Sequence, residues 1–246
     1  MVATWPHVLL VLLMSPAVGS FLAVLVDRVP QGRSILARSR CETCQTPLRW
    51  RHMVPILSAL WQRHRCASCG AVIPGHLIRV EAAAIAVALA AILSAQGTAH
   101  LWALVLCFWC LVALFYTDLL VMRLPDPLTA ALFLFALGAA FAAPGGDLLE
   151  ALLSGLGTAT ALGLLRWAYA ALRGKEGLGL GDVKLGAGFG ALLGWQDVPL
   201  GLLIAACLAI AVAFIERLRR SEPIKGDTRI PFGSYMCGAA LLISIL

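Results

Sequence analysis

The chain has 246 residues, 61% of them hydrophobic and only 13% charged, with a formal net charge of +6 and a mean hydropathy of +0.89. Soluble domains carry about a quarter charged residues, so this composition excludes an ordinary soluble domain and points to an all-α polytopic membrane protein. The positive balance does not read as a nucleic-acid surface, because no aromatic-interleaved basic patch or binding motif accompanies it.

Eight apolar spans follow in chain order, at about 7–26, 79–97, 101–118, 127–143, 148–172, 183–195, 199–216 and 230–246, judged against the roughly 20 residues that a membrane crossing needs. The sixth is short and Gly-rich (Gly186, Gly188, Gly190, Gly194) and reads as a partial or broken helix. Residues 1–6 hold no Lys or Arg, so the start does not read as a cleavable secretory signal. Arg28 follows the first span, which favours an external N-terminus and a first loop in the cytosol. The chain then divides into a first transmembrane helix (1–26), a cytoplasmic four-Cys loop (27–79) and a multi-helix membrane core (80–246).

Charge tests that topology. Nine arginines fall in the first loop, and every other Lys or Arg except Arg166 falls at or beside a later loop on the same side. The opposite loops, near 98–100, 144–147 and 196–198, hold none. This asymmetry is the positive-inside pattern, and it predicts a multi-pass membrane protein with its basic loops in the cytoplasm.

The first loop carries Cys41-Glu-Thr-Cys44 and, twenty-one residues on, Cys66-Ala-Ser-Cys69. Two CxxC pairs near this spacing are a zinc signature. A CxxC turn lets two thiolates meet one ion, and four thiolates close a tetrahedral shell with no open position for water. The reducing cytosol disfavours disulfides, so Cys41, Cys44, Cys66 and Cys69 are expected to hold a structural zinc. Cys107, Cys110, Cys207 and Cys237 lie in apolar runs and read as small core residues.

Ionisable residues at membrane spans are functional candidates. Asp118 closes the third span, and Asp182 opens the sixth after Gly177-Leu178-Gly179-Leu180-Gly181. The third span runs inward and the sixth starts from the cytoplasm, so both carboxylates occupy one membrane level. A close pair of carboxylates shares a proton, which lets one activate water while the other donates to a carbonyl. The glycines before Asp182 permit an unwound backbone and a close substrate strand. Read singly, Asp182 is also compatible with a helix N-cap and Asp118 with a water-facing interfacial residue.

In order along the chain stand Gly19-Ser20-Phe21-Leu22, Arg28-Val29-Pro30, the double CxxC with Trp50, Pro55 and Trp61 between its halves, and Arg79-Val80-Glu81. Asp118 with Leu124-Pro125-Asp126, Gly179-Leu180-Gly181-Asp182-Val183-Lys184-Leu185 and Ile230-Pro231-Phe232-Gly233 complete the series. Together they resemble the type IV prepilin peptidase family and, more broadly, the GxGD aspartyl proteases. The resemblance implies that Asp118 and Asp182 are the catalytic pair, and it demotes Asp126. It implies a prepilin or pseudopilin substrate with a short basic leader, cut at the cytoplasmic face in contact with membrane lipid. It also implies methylation of the new N-terminus from S-adenosylmethionine. Ala23, Glu42, Leu178 and Ser234 depart from the family pattern.

Three other readings stand beside this one: a peptidase without methyl transfer, a transporter or proton channel, and a zinc-stapled membrane scaffold with no chemistry. The channel predicts inverted repeats or mid-membrane acids, and neither is evident.

Overall fold

Apolar chain in lipid satisfies its backbone groups by coiling into helices. The computed structural model describes residues 4–41, 43–47, 65–175, 177–220 and 230–245, and its described residues form seven α-helices with no extended strand. They are α1 (Trp5–Arg28), α2 (Gly75–Ser94), α3 (Thr98–Val121), α4 (Asp126–Ala142), α5 (Leu148–Arg173), α6 (Leu180–Arg220) and α7 (Phe232–Ile245). A 3-10 turn, Val29–Gln31, continues α1. Glu42, Trp50, Pro55 and Trp61 lie outside the described residues.

The chain is all-α, as expected. By length and composition, α1, α2, α3, α5 and α6 are long and apolar enough to cross a membrane. Helices α4 and α7 are apolar but only 17 and 14 residues long. Five spans therefore meet the length criterion, against the eight read from the sequence.

Part of the difference lies in α6. Its 41 residues are broken at Gly194, whose φ of 74° and ψ of 167° belong to a region that only glycine enters readily. In a straight helix residues 189 and 201 would stand about 18 Å apart. Instead a methyl group built on Gly201 would lie 2.6 Å from the tip of the Phe189 ring. The helix folds back at Gly194 into two arms, which correspond to the spans expected at 183–195 and 199–216.

Gly186 and Gly190 of the first arm serve close packing against α5, and Gly188 against Leu132 of α4. Methyl groups built on Gly186 and Gly190 would strike Leu162 and Thr158, at 2.7 and 2.4 Å, and one on Gly155 of α5 would strike the Ala187 carbonyl at 2.6 Å. Ser154 Oγ donates to the Gly190 carbonyl at 2.8 Å. Small residues that let backbones approach, with a hydroxyl bonding across, are how helices associate where lipid removes the hydrophobic drive.

Helix α3 is the centre of the bundle, packed on α1, α2, α4 and α7, and most of its length is buried. The backbone N–H of Thr4 donates to Thr98 Oγ1 at 3.4 Å, and Trp102 Nε1 donates to His7 Nδ1 at 3.1 Å. Both contacts join the start of α1 to the start of α3. Val29 and Pro30 meet Asp118 and Met122 at the other end, so α1 and α3 run parallel. Cys107, Cys110 and Cys237 are buried, as read from the sequence. Cys207 differs, being exposed on the apolar outer face of the second arm of α6.

Candidate active site and metal centre

Helix α3 ends at a left-handed Met122 (φ 53°), one turn after Asp118. Asp118 is thus a buried carboxylate beside the negative end of its own helix, a poor place for charge. The start of α7 answers it. The first N–H groups of a helix lack partners within the helix, and there the Ser234 N–H donates to Asp118 Oδ2 at 2.7 Å. The Ser234 hydroxyl lies 3.0 Å from the same oxygen.

Asp182 arrives from the first turn of α6. Gly179 precedes that helix, and its N–H donates to Asp182 Oδ2 at 3.2 Å. Asp182 therefore sits three positions inside the helix and reaches back to the cap residue, the acidic half of a capping box. It is not itself the N-cap. The nearby glycines are needed for space, since none of Gly177, Gly179 and Gly181 has positive φ. A methyl group on Gly177 would strike the Tyr169 ring at 2.6 Å, and one on Gly181 would lie 3.0 Å from Leu124 Cβ. Tyr169 fills the room beside Gly177, while Gly179 and Gly181 still line an open cavity. Arg166, the exception in the charge map, extends from α5 and donates to the Leu178 carbonyl at 2.5 Å. Its long side chain carries the charge toward the basic end of the bundle and ties down the loop before Asp182.

The two aspartates meet at Gly233. A methyl group built there would lie 3.0 Å from Asp182 Oδ1, 3.1 Å from Asp118 Oδ2 and 2.8 Å from Leu124 Cδ1. Both carboxylates line one cavity of about 490 Å³, walled by Val29 and Pro30, the α3–α4 turn and the start of α6. Asp126 lines the same cavity at a distance from the pair, as an exposed partner of Lys184 at 2.7 Å. Exposed pairs of this kind contribute at most about 1 kcal/mol.

The four cysteines of the first loop also come together, with their sulfurs all within 4.8 Å of one another. Cys41 and Cys69 are 3.8 Å apart and Cys44 and Cys66 are 3.9 Å apart, against about 3.8 Å for the edge of a tetrahedron with Zn–S bonds of about 2.3 Å. Each CxxC is a matching knuckle. The Gln45 N–H donates to the Cys41 carbonyl and the Gly70 N–H to the Cys66 carbonyl, both at 2.9 Å. The bridges Arg40–Pro47 and Arg65–Val72 close the two turns in the same register. Gln45 and Gly70 take positive φ at equivalent places.

The Thr46 hydroxyl and amide pull the Cys44 thiol down to about 6. Backbone bonds from Cys69 and Ser68 lower Cys66 as well. The Ala71 amide also pulls on Cys69, but loss of water and the facing sulfurs push that thiol up to about 12. Two of the thiols are eased toward thiolate and Cys69 is held back by its neighbours until a cation joins them, so the donor set fits a divalent thiophilic metal. Purified protein is expected to hold about one zinc per chain, the stoichiometry of a closed four-thiolate shell. Cys41→Ser or Cys69→Ser should lose it and loosen the loop. Elemental analysis is the check, and full zinc in a variant lacking all four cysteines would exclude this site.

Arg28 links the knuckles to the cavity. Its guanidinium donates to the carbonyls of Ser34 and Ile35 at 3.3 and 3.2 Å, to that of Ala37, and to Ser39 Oγ at 3.1 Å. The cavity wall at Val29–Pro30 and the strand entering the first knuckle are thereby held by one side chain.

Comparison with known proteins agrees along the chain. Residues 13–95 match the bacterial peptidase A24 N-terminal domain, and residues 104–214 match the type IV leader peptidase family. A prepilin leader peptidase/N-methyltransferase of Aeromonas hydrophila is 36% identical over 94% of this chain and 88% of that protein. Proteins of the same name from Dickeya chrysanthemi and Klebsiella pneumoniae are 34% and 36% identical, over 90% and 77% of the chain and 89% and 86% of their own lengths. No solved structure matches.

Proposed function

Because the chain belongs to the type IV leader peptidase family, we propose that it removes the leader of prepilins or pseudopilins with Asp118 and Asp182 as its catalytic pair. The observation that carries this reading is the convergence of the two carboxylates on Gly233 at the mouth of α7, over an open cavity. With one proton between them, the ionised carboxylate takes a proton from water as its oxygen attacks the scissile carbonyl. The protonated one gives its proton to the carbonyl oxygen. The tetrahedral adduct then collapses and the C–N bond breaks. One carboxyl gives its proton to the departing amine while the other carboxylate takes one back from the adduct's hydroxyl, which restores the shared proton.

The name of the relatives includes N-methyl transfer, and we extend that activity to this chain with S-adenosylmethionine as donor. A free α-amino group has a pKa of about 7.7–8.0, so a modest local push suffices to ready it for attack. Cys41, Cys44, Cys66 and Cys69 would hold a structural zinc that supplies folding energy to the first loop. The basic loops support a dyad end at the cytoplasmic face of the inner membrane, with the N-terminus outside. Lys184 and Arg123 line the cavity, and the Arg28 clamp lies beside its wall at the same end.

The test is reconstitution of purified protein with a prepilin and S-adenosylmethionine, read by mass spectrometry of the mature N-terminus. Loss of the leader with one added methyl group is the expected product. Efficient leader loss with an unmodified amine would restrict the chain to peptidase chemistry. An intact precursor would overturn the reading, in favour of a channel or scaffold.

A further inference from the structure

Ser234 lies in the first turn of α7 and is 1% exposed. Both of its donors face one atom, Asp118 Oδ2, with the N–H at 2.7 Å and the hydroxyl at 3.0 Å. The same hydroxyl lies 3.0 Å from the Phe115 carbonyl of α3. A hydroxyl has one proton to give, so it serves either Asp118 or Phe115 at a given moment. Ionised Asp118 draws the proton to Oδ2. Neutral Asp118 needs it less, and a single rotation about the Cβ–Oγ bond returns it to Phe115. In either state the buried hydroxyl keeps an acceptor, which avoids the cost of an unpaired polar group.

We propose that Ser234 is a positioning residue of the dyad, holding with two donors Oδ2, the oxygen of Asp118 that approaches Asp182 at Gly233. This rests on the assignment of Asp118 and Asp182 as the catalytic pair. The Ser234 N–H comes from the backbone and fixes where Asp118 sits. The hydroxyl follows the charge of Asp118 as that charge comes and goes. No other side-chain hydroxyl donates to Asp118 among the described residues, and Cys237, one turn further along α7, offers only a weak S–H donor.

Ser234→Ala removes the hydroxyl and keeps the N–H. Its kcat for leader cleavage should fall about tenfold to hundredfold, the range for one hydrogen bond to a charged group. KM should stay within about twofold, because the lost bond is to the enzyme's own carboxylate and not to substrate. Ser234→Thr restores a hydroxyl and should recover most of kcat. Should the extra methyl prevent Thr from folding at this buried site, as judged by its melting temperature, Ser234→Cys replaces it and should fall between Ser and Ala. A folded Ser234→Ala enzyme with wild-type kcat, or a hydroxyl or thiol variant no better than Ala, overturns the proposal. Asp118→Asn assayed in parallel separates the two levels. If it is inactive while Ser234→Ala is wild type, only the role of Ser234 falls. If it is fully active, the dyad assignment itself falls.

Discussion

Asp118→Asn and Asp182→Asn are each expected to abolish leader cleavage while the protein still inserts and folds. Asparagine is nearly isosteric and can accept the bonds from Ser234 and Gly179, but it cannot take up and release a proton. General acid–base groups contribute on the order of 10²–10⁴-fold each, and members of one catalytic unit are not additive, so the double variant should be little worse than either single one. Asp126→Asn is the control. Its carboxylate is exposed and paired with Lys184, and the variant should keep much of its activity. The measurement is single-turnover cleavage of a prepilin in detergent or liposomes. Full activity in either dyad variant would remove that residue from the mechanism.

Gly233→Ala should be nearly as damaging, although it changes no chemical group. The added methyl would stand 3.0 and 3.1 Å from the two carboxylates and 2.8 Å from Leu124. The Leu124 tip is nearest and can give way, but the two carboxylate oxygens just beyond it must shift as well. A misplacement of about 1 Å in a catalytic constellation can cost about a hundredfold. The loss should therefore appear in kcat at that scale, with membrane insertion unchanged. Wild-type turnover in this variant would mean that the carboxylates do not work in the positions they occupy here.

The sequence made the outline of this protein readable because lipid leaves a chain few options. Apolar runs became helices, and four loop cysteines in two CxxC pairs became one cluster. Asp118 and Asp182 reached one level because alternate crossings place the end of α3 beside the start of α6. Other features were not readable, for a common physical reason. Ser234 stood out only as a departure from a family pattern, yet it acts on a residue 116 positions away. Arg166 looked like an anomaly in the charge map, and its meaning lies in a carbonyl on the next loop. Contacts across packed helices leave no periodicity in the residues that make them. Gly177 looked like room for substrate and is filled by Tyr169, because sequence shows that a side chain is missing but not what occupies its place. The sequence did separate the two arms of α6 on either side of Gly194. It did not show that only five helices among the described residues meet the length criterion, because helix length depends on where each end is capped.

The shortness of α4 bears on how water reaches the carboxylates. Its 17 residues extend only about 26 Å, against a hydrocarbon layer of about 30 Å. Its first turn borders the cavity that Asp118 and Asp182 line. A bilayer meets such a mismatch by thinning locally. The enzyme would then wear a dimple in the membrane at its reactive end, bringing bulk solvent down to a depth that lipid would otherwise fill. Cleavage should slow as the acyl chains of the host liposome are lengthened at fixed headgroup. A rate indifferent to chain length would show that the cavity alone supplies the water.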